Sequence, residues 1–151
     1  MNNYKSILTT QRLGLIEFAR TVNPTHLVTL NFHARYERQT AEVKIGRWFA
    51  LVNRRLFRRL RPESDQRIEF VAFPEFDAAG HIHYHAVMRV PTSKLNDFVT
   101  YGQSRWKRIV PTSTFHVRAI EDGEDDIENA FLYVTKSTGA SDVIHSGMFH
   151  Q

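Results

Sequence analysis

From His26 to His33 the chain is apolar at every second position, with Val28, Leu30 and Phe32 alternating with Thr29, Asn31 and His33. Period two is the signature of a strand with one face in a core, and residues 26–33 are assigned to one. Its outward face carries small polar groups, a poor choice for a buried layer and a good one for a wet binding surface. Over residues 40–60 the period lengthens: Ile45, Phe49, Val52, Leu56 and Leu60 fall on one side of a helix. Alternation returns at Arg67–Phe76 and again from His81, with Asp77, Ala78, Ala79 and Gly80 between them as a hairpin connection. Pro91, Thr92 and Ser93 then cap a helix through Leu95, Phe98, Val99 and Trp106, with Gly102 as its weak point. Thr112–Ile120 reads as a strand, and the acidic turn Glu121–Asp126 leads into a last helix through Ile127, Phe131 and Val134. Ahead of all this, a helix opens at Thr10 with Leu13, Ile16, Phe18 and Ala19 on one face and stops before Asn23 and Pro24.

The order helix, strand, helix, strand, strand, helix, strand, helix fits an α+β fold of the split βαβ, ferredoxin-like kind. Its antiparallel sheet is expected to carry helices mainly on one face and leave the other open for binding. No repeat, linker or low-complexity tract divides residues 1–151, so a single domain is expected, with its core at about 26–138 and a weakly patterned tail at 139–151.

Composition narrows the picture modestly. The 151 residues are 42% hydrophobic and 24% charged, ordinary for a globular protein, and the net charge of +4 is compatible with a polyanionic partner. Arg47, Arg54, Arg55, Arg58, Arg59 and Arg61 crowd the polar side of the long helix, which is either a solvated face or a phosphate contact. The absence of cysteine excludes disulfides and thiolate zinc sites and points to a reducing compartment. No apolar run approaches membrane-spanning length, so a cytoplasmic location is expected, or a nuclear one for a protein of a eukaryotic virus.

The chemistry is concentrated in His81, His83 and His85, which a strand would place on one face, opposite Ile82, Tyr84, Ala86 and Met88. Imidazole is a common ligand for metals near neutral pH, so the three suggest a metal site. In the last helix Tyr133 and Lys136 are neighbours at helical spacing, with Asn129 one turn back, while Ile127, Phe131 and Val134 lie on another side. This tyrosine is therefore off the apolar stripe.

Taken in order, Leu27-Val28-Thr29-Leu30-Asn31-Phe32, then His83-Tyr84-His85, then Tyr133-Val134-Thr135-Lys136 resemble the HUH endonucleases. More narrowly they resemble the single-tyrosine replication-initiator (Rep) nuclease domains of rolling-circle replicons. In relaxases the tyrosine precedes the histidines, and single-tyrosine transposases place a glutamine one turn beyond it, where Ser137 stands here. The resemblance selects His83 and His85 as the metal pair, because a glycine turn precedes them and small or apolar residues follow. It implies a carboxylate on the preceding strand as third ligand. Glu75 suits that role across the hairpin, with Glu69 as runner-up and His81 as a fourth or substitute ligand. It further implies manganese or magnesium as cofactor, Tyr133 as nucleophile, Lys136 as a nearby cation and a covalent 5′-phosphotyrosine link. The expected partner is single-stranded DNA at a replication origin, with or without a flanking hairpin. Alternation makes Thr29, Asn31, His33, Phe73 and Arg89 the candidate contacts on the open face. No Gly-x-x-x-x-Gly-Lys-Ser/Thr run occurs, so any helicase is expected to be a separate protein or a fused part of a longer one. The alternative readings are a single-tyrosine transposase, a non-catalytic single-strand-binding module, and a zinc hydrolase of another kind.

Overall fold

A computed structural model describes residues 9–57, 67–136 and 142–149. Four helices and five strands follow in the order α1 (Thr10–Arg20), β1 (His26–Asn31), α2 (Arg38–Leu56), β2 (Glu69–Phe76), β3 (Ile82–Arg89), α3 (Leu95–Ile109), β4 (Thr114–Ala119), α4 (Glu124–Val134) and β5 (Ile144–His145). The strands form one antiparallel sheet in the order β4-β1-β3-β2-β5. The first four reproduce the split βαβ arrangement, with β1 and β4 side by side and α2 and α3 as the crossovers. Leu60, Arg58, Arg59 and Arg61, part of the expected long-helix pattern, lie outside the described residues. The weakly patterned tail supplies the short fifth strand and a 3₁₀ turn at Ser146–Phe149.

Alternation builds the core as expected. Val28, Leu30, Phe32, Phe70, Ala72, Ile82, Tyr84, Ala86 and Met88 face one way and pack with Ile45, Trp48, Phe49, Val52, Phe98 and Trp106 of α2 and α3. Each large apolar side chain so enclosed contributes roughly 1.5–3 kcal/mol relative to exposure. Gly102, expected to weaken α3, is where that helix comes close to its neighbours. Trp48 Nε1 donates to its carbonyl at 2.9 Å, and a Cβ there would stand 3.3 Å from the Phe115 ring. The position serves close packing.

The other face is narrower than bare alternation implies, because α1 and α4 cover part of it. Leu15, Ile16, Ala19, Phe131 and Val134 pack on Val71, Phe73 and Val87 as a second core. The buried stripe of α1 is thus Leu15, Ile16 and Ala19, whereas Leu13 and Phe18 are 47% and 39% exposed. That rotation is coupled to polar contacts. Arg12 Nε donates to Thr135 Oγ1 at 2.9 Å, its Nη2 donates to the Leu132 carbonyl at 2.6 Å, and Arg20 pairs with Glu128. All three contacts reach α4 or the turn that follows it.

The hairpin fixes the register on which the site depends. Asp77 Oδ1 accepts the amides of Ala79 and His81, both at 2.9 Å, and Gly80 takes φ +80°, which favours glycine. Phe76 consequently pairs with Ile82 and Glu75 with His83.

Candidate metal centre and active site

Two cross-strand rows create the site. One places Glu75, His83, Asn31 and Thr114 side by side on β2, β3, β1 and β4, and the next places Phe73, His85, Thr29 and His116. Residues two apart on a strand share a face, so Glu75, His83 and His85 converge. Their ligand atoms all lie within 4.8 Å of one another. Glu75 Oε2 is 3.0 Å from His85 Nε2 and 3.5 Å from His83 Nε2.

The donor chemistry suits a divalent cation. Two imidazole nitrogens and a carboxylate oxygen form a mixed set that leaves coordination positions for other oxygens. Burial, then the neighbouring His83, lowers the His85 pKa to about 4 despite the opposing influence of Glu75, so the ring is neutral at physiological pH. Burial by itself would raise Glu75. The Lys136 hydrogen bond and charge, aided by both imidazoles, outweigh it and hold the carboxyl below its usual range. A neutral imidazole and an ionised carboxylate are the forms a metal requires. Behind the ring, Thr29 Oγ1 lies 3.1 Å from His85 Nδ1, so with Nε2 turned to the site Nδ1–H donates to the hydroxyl.

α4 delivers the second half of the site. Tyr133 stands at its last turn, 43% exposed, with its ring edge-on to His85 at 4.8 Å between centroids. Lys136 lies two residues beyond the helix end. Its Nζ is 3.3 Å from Glu75 Oε1 and 4.4 Å from the Tyr133 ring centre. One ammonium thus touches both the tyrosine and the carboxylate of the trio. Arg12, which sequence reasoning missed, ties down the turn between them. Nothing in the α1 pattern signalled a partner more than a hundred residues away.

The remaining expected residues divide. His81 sits outside the trio, 3.5 Å from Asp77 in the turn, and Glu69 pairs with Arg67 and Arg89 at the opposite end of the hairpin. Arg89, expected as a DNA contact, is therefore six residues from His83, roughly 20 Å along the strand. Phe73 requires correction as a contact on the open face. It is 0% exposed, sealed beneath α1 and α4 as part of the second core. Thr29 and Asn31 do share the site face. His33 has left the strand in a left-handed conformation (φ +50°), donating its amide to Asn31 Oδ1 at 3.1 Å with Nε2 2.8 Å from Thr114 Oγ1.

Fold and site together define an antiparallel α+β domain with a His–His–Glu group able to hold a metal beside an exposed tyrosine. Residues 25–138 match the family model described as replication-associated protein ORF2, and the chain belongs to that family. Its function therefore lies in replication. In fold it is similar to the hypothetical protein ORF119 from Sulfolobus islandicus rod-shaped virus 1, known from a crystal structure, at 17% identity and a TM-score of 0.50. That similarity covers 83% of this chain and 91% of the viral one. No match was found among curated proteins. No helix among the described residues is long and apolar enough to cross a membrane.

Proposed function

We propose that the chain is an HUH-type replication-initiator nuclease, which nicks and rejoins single-stranded DNA at an origin through a covalent link to Tyr133. The observation that carries this reading is convergence. Residues 75, 83 and 85 on a hairpin meet residues 133 and 136 after a distant helix, with Lys136 touching both Glu75 and Tyr133. Membership of a replication-associated family gives that arrangement a setting.

Glu75, His83 and His85 would hold a divalent cation, manganese or magnesium, which when bound offsets the negative charge of a phosphodiester. The hydroxyl of Tyr133 attacks phosphorus, the P–O3′ bond breaks, the departing 3′ oxygen takes up a proton and the phenolic proton passes to solvent. The products are a 5′-phosphotyrosine and a free 3′-hydroxyl able to prime synthesis. The reverse attack by a 3′-hydroxyl rejoins the strand without ATP, because the phosphotyrosine conserves the bond. Lys136 holds positive charge where the phosphate must approach, and Thr29 keeps the His85 ring oriented. Asn31 and His33 border the same face and contact the strand, while Arg89 lies further along its path. Unwinding falls to a helicase, separate or fused.

The test incubates the protein with manganese and a random single-stranded DNA library, then sequences whatever becomes covalently attached. A shared sequence joined through its 5′ phosphate supports the reading. Saturable binding without any adduct would instead make the chain a single-strand-binding module.

A further inference from the structure

Tyr133 has a second neighbour besides the His–His–Glu group. On the side of β1 and β4 opens a cavity of about 640 Å³, whose lining includes Leu27, His116, Arg118, Asn129, Ala130 and Tyr133. The sheet order places it across β1 from the site on β3 and β2, so the tyrosine stands between the two. Its volume falls within the range of small-molecule sites. Leu27 and Ala130 give it an apolar surface of the kind that takes the face of a flat ring. Its polar groups are uncommitted. The side chains of Asn129 and His116 have no hydrogen-bond partner among the described residues, and Arg118 is held at the margin by Asp126 at 3.2 Å. Asn129 lies one turn before Tyr133 on α4 and forms no part of the proposed reaction.

We infer that this cavity seats one nucleobase of the substrate strand and that Asn129 reads it. The inference rests on the reading of the chain as a single-strand nuclease. A carboxamide offers a donor and an acceptor side by side, a pattern that matches a base edge in two hydrogen bonds, and an unstacked base leaves that edge free. Arg118 supplies charge for the attached phosphate. Strands are spaced about 4.8 Å apart, so His85 and β4 are separated by about 10 Å, and the base concerned is the first or second from the scissile phosphate. The cavity thereby makes the position of the nick depend on sequence.

The experiment separates base reading from cleavage. A Tyr133→Phe protein, which has no nucleophile, is equilibrated with a random single-stranded oligonucleotide library, and bound sequences are compared with those bound by Tyr133→Phe/Asn129→Ala. Loss of one bidentate contact is expected to flatten the preference at a single position by about tenfold and leave other positions unchanged. Tyr133→Phe/Asn129→Asp, which replaces a donor with an acceptor, is expected to change the favoured base there. His116→Ala in the same background reports whether the neighbouring ring contributes at that position. An unchanged profile in both Asn129 variants, or equal weakening at every position, overturns the inference. Flattening in a protein whose wild type forms no adduct leaves base reading intact and removes the nuclease. Adduct formation with an unchanged profile does the reverse.

Discussion

Acidifying the metal-free protein should unfold it more readily through His85. The ring is 5% exposed and its pKa is lowered to about 4, whereas in the unfolded chain it returns to 6.5. The unfolded state therefore binds a proton first, and stability is lost as pH falls below the unfolded value, reaching its full loss below the folded one. For these two values the loss from pH 7.5 to pH 5 is about 2 kcal/mol, and the full loss is about 3 kcal/mol. Glu75, whose folded pKa is depressed, acts in the same direction at lower pH, and His26, lowered by burial, adds to the slope above it. The difference between wild type and His85→Gln isolates the ring. Urea unfolding in EDTA at pH 7.5 and pH 5 should show a loss about 2 kcal/mol greater for wild type. Equal losses in the two proteins would refute a buried, neutral His85.

The remaining predictions concern particular contacts. Tyr84 is wholly buried with no hydrogen-bond partner for its hydroxyl among the described residues, and burial, then the Glu42 charge, pushes its phenol above the ordinary range. Tyr84→Phe should accordingly raise stability by about 1 kcal/mol in urea unfolding, and destabilisation would mean that the hydroxyl has a partner. Arg12→Ala removes both ties to the end of α4. It should slow adduct formation by about tenfold while the oligonucleotide Kd stays within about twofold, and an equal fall in binding would argue for general damage. Glu75→Gln preserves shape but removes the anionic ligand, so calorimetry should show manganese affinity reduced by at least about tenfold. Undiminished affinity would place the metal elsewhere.

Much of this site was legible in the chain because strand alternation and hairpin length are local properties. Once Asp77–His81 is read as a short connection, Glu75 and His83 fall opposite each other, and His85 follows on the same face. The Phe73 contact was lost for a non-local reason. Alternation places it on the site face, but only the docking of α1 and α4 decides which part of that face is sealed. The same docking settled Leu15 over Leu13 in α1, since both patterns suit an amphipathic helix. Lys136 meets Tyr133 as its spacing suggested, although the helix ends at Val134 and a turn completes the approach. Arg12 could not have been found this way, because its partners at Leu132 and Thr135 belong to an element more than a hundred residues later.

The central claim is tested most directly at Tyr133. Wild type and Tyr133→Phe are each incubated with manganese and an oligonucleotide recovered from the library, denatured, and digested for mass spectrometry. The account predicts a 5′-phosphorylated DNA remnant on the Tyr133 peptide of wild type and no adduct in the variant, with DNA binding retained by both. An undiminished adduct in Tyr133→Phe, or a remnant mapped to another residue, would contradict it.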